Sequence, residues 1–278
     1  MAATFGRNGV FPSYTQFAVP DSVSDNLASH VSVSFLVRTR KQAGLIFFIG
    51  SDTSESKSNQ TFMTVELSPV GVVSRIKLGS DTETNVLPGS VADGRQHSVF
   101  VSLNYSVLKI QLDDMSELYA VNYSVPLVDD LLYVGGMPLK NMHRRRRDTY
   151  FDAANQFSGT LQDFRLNGVR LQSFSMNSTD EDGSPAPAVE LPVNSSNVDR
   201  GEQSDDVCQL QQPCQHNATC QNEFYNRYRS LIEISYCSLI MSFHFVSFSV
   251  TRNIMHTFLS IHVSMTSAVM NFQKSFFR

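Results

Sequence analysis

VSVSFLVR, residues Val31 to Arg38, decides the fold class. Val31, Val33, Phe35 and Val37 fall on one side of an extended chain, and Ser32, Ser34 and Arg38 fall on the other. That is the period-two pattern of a strand with one face in a core and one in water. Working outward, the alternation returns in Phe62 to Leu67, where Met63, Val65 and Leu67 share a face, and in Val72 to Leu78, where Ile76 and Leu78 flank Lys77. Val99, Val101 and Leu103 repeat it in SVFVSL, and Leu108, Ile110 and Leu112 repeat it in VLKIQL. Turn formers separate the runs: Gly71 after Ser68-Pro69, Pro88-Gly89, Asp93-Gly94, Asp113-Asp114 and Gly135-Gly136. No convincing 3.6-residue periodicity precedes residue 200. The predicted class is all-β, an antiparallel sandwich or jelly roll with no helix of any length.

Composition narrows the function classes. The chain of 278 residues holds one large domain or two smaller ones, and 41% hydrophobic content is ample for a core. A net charge of -4 argues against a general nucleic-acid binder, so no nucleic-acid partner is expected. His97 near Asp93 invites a general-base reading, because imidazole titrates near neutral pH. No nucleophile elbow, paired-carboxylate motif, HExxH or phosphate-cradling glycine loop accompanies it. The enzyme reading has no further residues to rest on.

CQLQQPCQHNATC, residues 208 to 220, holds three of the four cysteines, and Cys237 stands apart. A zinc site is one reading, with His216 beside Cys214 and Cys220, but no CxxC pair closes it. A disulfide framework in an oxidising compartment fits better. Asn-X-Ser/Thr acceptors at Asn59, Asn104, Asn122, Asn177, Asn194 and Asn217 make six, where chance gives roughly three. The set points to an extracellular or cell-surface location. The N-terminal residues lack the apolar run of a signal peptide, so the chain reads as a fragment of something longer.

Five landmarks, in order and at fitting distances, resemble the laminin G-like domain family. They are SYTQFAVP (13–20), VSVSFLVRTRKQAGLIFFIG (31–50), ADGRQHSVFVSL (92–103), LLYVGG (131–136) and FSGTLQDFRLNG (157–168). The resemblance covers residues 3–203 and implies a jelly-roll-like sandwich of about fourteen antiparallel strands. LQDFRLNGVRL followed by the cysteine cluster is most similar to the Crumbs branch, with neurexin, agrin and Eyes-shut arrangements as near neighbours. The implied function is extracellular recognition of a protein or an anionic glycan at the sandwich rim, in adhesion or cell polarity. The alternative is a heparin-binding, lectin-like matrix protein, and a glycan-processing jelly-roll enzyme comes third.

The resemblance also assigns residues. His97 becomes a packing and hydrogen-bonding residue at a strand start, and Gln96 stands where the family has Trp, a residue this chain lacks. The two half-cystines of the family's bridge correspond to Thr160 and Glu202, so both are missing together, at a cost of roughly 2 to 4 kcal/mol. Calcium in this family is held by an Asp whose place is taken by Thr61, and by a second group near Asp129 and Asp130. The expectation is no cofactor, with calcium at Asp129 and Asp130 as the alternative. Residues 204–230 resemble the first part of an epidermal-growth-factor-like module, whose first-to-third pairing implies a Cys208–Cys220 bridge and leaves the partner of Cys214 unknown.

Three features remain. Arg144, Arg145, Arg146 and Arg147 lie between two predicted strands and read as a solvated loop, an anionic-glycan contact through guanidinium pairs, or a protease-processing site. From Asn177 to Asp206 the Ser-, Asp- and Pro-rich composition reads as loop and linker around one closing strand, AVELPV. The apolar tail, 231–278, fits neither module. It reads as an open frame continued past its exon, with a membrane span as the alternative, which Glu233 and His244 oppose. Membrane association is expected instead through missing parts of the parent protein.

Overall fold

The computed structural model describes residues 2–27, 29–51, 60–78, 82–122, 126–127, 131–138, 156–174, 189–215, 218–223 and 227–231. Two sheets face each other. The first runs, in spatial order, β10 (Met115–Ala120), β9 (Val107–Leu112), β8 (Gln96–Asn104), β3 (His30–Arg38), β12 (Gly159–Leu166), β1 (Ala2–Phe5) and β16 (Val198–Arg200). Two short strands extend it, β13 (Val169–Leu171) on β12 and β14 (Val189–Glu190) on β13. The second runs β15 (Pro192–Ser196), β2 (Tyr14–Phe17), β11 (Leu131–Val134), β4 (Gly44–Gly50), β5 (Thr61–Ser68), β6 (Gly71–Leu78) and β7 (Thr82–Pro88). Among the described residues nine and seven make sixteen strands, against the about fourteen that the resemblance implies. The only helices among the described residues are the short turns Asp21–Ser24 and Val207–Gln211 and a 3-10 turn at Arg7–Gly9.

The alternating side chains meet between the sheets. Val31, Val33, Phe35 and Val37 are all buried, and across the register Val99 and Val101 of β8 and Ile110 of β9 continue the same layer. From the second sheet Met63, Val65 and Ile76 face them, with Phe164 stacked on Phe35 at 5.2 Å. Each such side chain contributes about 1.5 to 3 kcal/mol of burial.

Two elements depart from simple alternation. GLIFFIG in β4 is buried at every position because apolar clusters cover both its faces, and a bulge between Leu45 and Phe47 puts Phe48 on the outer face of its sheet. There it meets a second apolar cluster of Tyr14, Phe62, Tyr133 and Met137. AVELPV is not one closing strand: Val189–Glu190 pairs with β13 in the first sheet, whereas Pro192–Ser196 pairs with β2 in the second. The segment crosses between sheets at Leu191, so the expected free linker gives way to structure from Val189 onward.

Candidate functional site

The Asp93-Gly94 turn places the first sequence-predicted group. Gly94 adopts φ +81° and a Cβ there would strike the Arg40 guanidinium, so the turn needs glycine. Strand β8 then begins, and His97 is clamped: Nδ1 lies 2.8 Å from Asp113 Oδ2 and Nε2 lies 3.0 Å from Asp93 Oδ1. Partial burial disfavours its charge, but the hydrogen bonds and negative charges of Asp113 and Asp93 outweigh this and hold its pKa above the usual value. Partial burial likewise pushes the Asp93 carboxyl up, but the Arg95 N–H and His97 leave it below the ordinary carboxylate range. With both ring nitrogens engaged, His97 offers no free position to a substrate. It ties the turn to the β9–β10 hairpin, where Asp113 Oδ1 also accepts from the Ser98 N–H at 2.8 Å.

At the rim, Thr61 opens β5 and is buried. Its N–H donates to Ser51 Oγ at 3.0 Å, and its carbonyl accepts from the Ser51 N–H at 2.9 Å. A buried hydroxyl residue stands at the position the resemblance assigns to a calcium-binding carboxylate, and among the described residues no group of three His, Cys, Asp or Glu side chains is arranged to hold a metal ion. Asp129 and Asp130 lie outside the described residues, as do Arg144, Arg145, Arg146 and Arg147, and Asn59, Asn177 and Asn217. The positions between which the arginines run are described. Gly136 packs against Ser13 and Gln156, and Gln156 bridges to Leu45 at the start of β4. Lys41 Nζ donates to the Gln156 carbonyl at 2.5 Å and lies 4.8 Å from the Phe11 ring centroid. The described positions that flank the arginine segment therefore lie at one end of the second sheet, beside Leu45 and Met137.

One polar group escaped the sequence reading. On the outer face of the second sheet Arg75 Nε donates to Glu66 Oε2 at 3.2 Å, Thr64 donates to Glu66 Oε1 at 2.8 Å, and Arg75 Nη1 donates to Thr84 at 3.0 Å. Burial raises the Glu66 pKa despite the opposing Arg75 charge. Only the register of β5 on β6, with Thr64 opposite Arg75, brings these residues together.

Residues 37–169 match the family described as Laminin G domain. The chain carries a laminin G domain. It is similar to protein crumbs homolog 2 of Mus musculus, at 31% identity over 227 residues, covering 81% of this chain and 14% of that protein. Protein crumbs homolog 2 of Homo sapiens is 30% identical over 219 residues, covering 79% of this chain and 14% of that one. The chain thus spans about a seventh of the length of these curated relatives. Among solved structures, domains LG4-5 of the mouse laminin alpha1 chain align with TM-score 0.52 at 20% identity, covering 71% of this chain and 46% of that one. The LG1-3 region of the laminin alpha2 chain gives 0.51 at 21%, covering 74% and 35%. These likenesses agree on the fold.

Within this laminin G domain, three of the departures from the family pattern, Gln96, Thr160 and Glu202, lie on one patch, whereas Thr61 lies on the second sheet. Gln96, in the place of Trp, donates to Gln162 Oε1 at 3.1 Å; Gln162 in turn donates to Glu202, which also pairs with Arg38 at 3.3 Å. Beside it, buried Thr4 is a hub. Its hydroxyl donates to the Gly201 carbonyl at 2.7 Å, accepts from the Gln203 N–H at 2.9 Å, and lies 3.0 Å from Thr160 Oγ1. Since the Thr4 proton is committed to Gly201, Thr160 is the donor to Thr4. Hydrogen bonds thus join Thr160 to the 201–203 segment, where the family places a covalent bridge.

The segment after the sandwich is pinned to it. The Asn8 N–H donates to Asp205 Oδ1 at 2.8 Å, the Asp206 N–H donates to Asn8 Oδ1 at 3.0 Å, and Arg7 Nε donates to the Ser204 carbonyl at 3.1 Å. Cys208 and Cys220 form a disulfide, with Cα atoms 5.7 Å apart, and Cys214 is a free thiol. Thr219–Glu223 and Arg227–Leu231 pair as a small antiparallel ribbon. Asp206 caps the Val207–Gln211 helix by accepting from the Gln209 N–H. This disulfide and ribbon fit an epidermal-growth-factor-like segment.

Proposed function

We propose that this chain is a Crumbs-like recognition module of a cell-surface protein, serving adhesion or cell polarity, and that its laminin G domain contacts an extracellular protein at the sandwich rim. The similarity to crumbs homologues across about four fifths of the chain carries the reading. The contact surface is the end of the second sheet where the positions flanking the segment bearing Arg144 to Arg147 lie. Four adjacent guanidinium groups suit bidentate pairing with carboxylates or sulfates. The same run favours a second reading, a heparin-like glycan as ligand. No bound metal and no chemistry are required by either.

The test is binding of the fluorescent, multimerised chain to cells with and without heparan sulfate. Saturable binding that survives on the deficient cells and is removed by surface proteolysis is the expected result. Binding lost on the deficient cells establishes the second reading, and absence of binding on both overturns the first.

A further inference from the structure

Two of the three described acceptor asparagines, Asn104 and Asn122, lie at one end of the sandwich, and the third, Asn194, lies at the opposite edge of the second sheet. Among the described residues β10 ends the first sheet, and one side of its backbone has no strand partner there. Among the described residues, the exposed large hydrophobics Tyr105, Val107, Met115 and Leu118 lie on the β8–β9–β10 end, and Leu118 is 70% exposed. An open edge beside exposed apolar side chains is a template for pairing with another chain, and natural sheets cover such edges. Asn104, Val107 and Ala120 form one row on the outer face of this sheet, and Ser102, Lys109 and Leu118 form the next. Asn104 is exposed at a two-residue hairpin whose Tyr105 has φ 47°, and the hairpin's Ser106 carbonyl accepts from the Val121 N–H at 2.8 Å. Asn122 follows directly, exposed, with its N–H donating to Glu83 of β7 at 2.9 Å. It therefore stands between the edge strands of the two sheets, which Tyr119 also joins by donating to the Val86 carbonyl at 2.8 Å. At the other open edge of the second sheet, β15 carries exposed Asn194 next to Val193, which is 67% exposed.

We propose that Asn104, Asn122 and Asn194 carry N-linked glycans that cap the open edges of the sandwich at β10 with β7 and at β15. The proposal rests on the extracellular reading and adds to it a modification and its purpose. In the transfer, the asparagine carboxamide nitrogen bonds to the anomeric carbon of a lipid-pyrophosphate-linked oligosaccharide. The bond from that carbon to the pyrophosphate oxygen breaks, the amide proton passes to a base of the transferase, and the lipid pyrophosphate leaves. Asn104, Asn122 and Asn194 are each exposed, with the Asn194 amide donating to the Tyr14 hydroxyl at 3.5 Å, and the bulky hydrophilic product excludes a second strand from the edge beside it.

The test uses the full chain behind a cleavable secretion signal, expressed in glycosylating cells, with protein from cells and medium pooled. Enzymatic glycan release in heavy-oxygen water marks each occupied asparagine as labelled aspartate. Labelled peptides at all three sites are expected, with N104Q, N122Q and N194Q each removing one glycan step from the gel mobility. Unlabelled peptides at the three sites overturn the proposal, whether or not Asn59, Asn177 or Asn217 is labelled. Because the signal forces entry, that failure leaves the recognition reading to its own binding assay. For the capping, removing the acceptor hydroxyls with Ser106→Ala, Ser124→Ala and Ser196→Ala should convert a monomer to dimers or larger species in sedimentation. Leu118→Lys in that background should restore the monomer. A glycan-free chain that stays monomeric at every concentration overturns the capping.

Discussion

Replacing Thr4 by Val tests whether hydrogen bonds hold the patch where the family has a disulfide. The change replaces a hydroxyl by a methyl at a buried position and removes the group that bonds the Gly201 carbonyl, the Gln203 N–H and the Thr160 hydroxyl. A net hydrogen bond contributes about 0.5 to 1.5 kcal/mol, so three give at most about 4.5 kcal/mol. Gly201 and Gln203 are half-buried, and water recovers part of their loss. The expected cost is therefore about 2 to 3 kcal/mol, or a fall in Tm of roughly 4 to 12 °C for a domain of this size. Thr15→Val is the control, since Thr15 is equally buried but donates to Ser173 alone, at 3.1 Å. It should cost about 1 kcal/mol. With no Trp in the chain, urea unfolding is followed by tyrosine fluorescence and far-ultraviolet circular dichroism. A Thr4→Val cost no larger than that of Thr15→Val would refute the hub.

Stability should also depend on pH through the His97 clamp. Its folded pKa is raised, so its contribution is fully present below the unfolded value of about 6.5 and is lost as pH rises through the folded value. Asp93 is lowered, so its contribution holds above about 3.9 and is lost as pH falls through its folded value. The urea midpoint difference between the chain and His97→Asn should accordingly shrink from about pH 5 to about pH 8; a difference that grows contradicts the clamp. Chelator should move the Tm by less than about 5 °C, because Thr61 supplies no carboxylate; a larger drop would establish a structural calcium.

The strands were legible where one face meets the core and the other meets water, as in Val31–Val37 or Leu108–Leu112. They were not legible where that contrast fails. GLIFFIG is buried on both faces, and MSELYA in β10 is exposed almost throughout as an edge strand. Polar composition disguised Pro192–Ser196 and Val198–Arg200 as linker, because their backbone pairing with β2 and β1 leaves little trace in side-chain pattern. The absent family bridge was readable at Thr160 and Glu202, but its replacement was not, since the hub comes from Thr4, 156 residues before Thr160. The resemblance makes His97 a hydrogen-bonding residue at a strand start, but its two carboxylate partners, Asp93 and Asp113, come together only in the fold. The Glu66–Arg75 pair needed a cross-strand register that no local pattern encodes.

The recognition surface itself is tested most directly by saturation binding to cells of the chain and of a variant with Arg144, Arg145, Arg146 and Arg147 all replaced by Ala. A loss of affinity of about tenfold or more, equivalent to roughly 1.4 kcal/mol, is predicted, with the chain's own binding weakening as salt is raised. Equal affinities for the two proteins, unchanged by salt, would contradict the account.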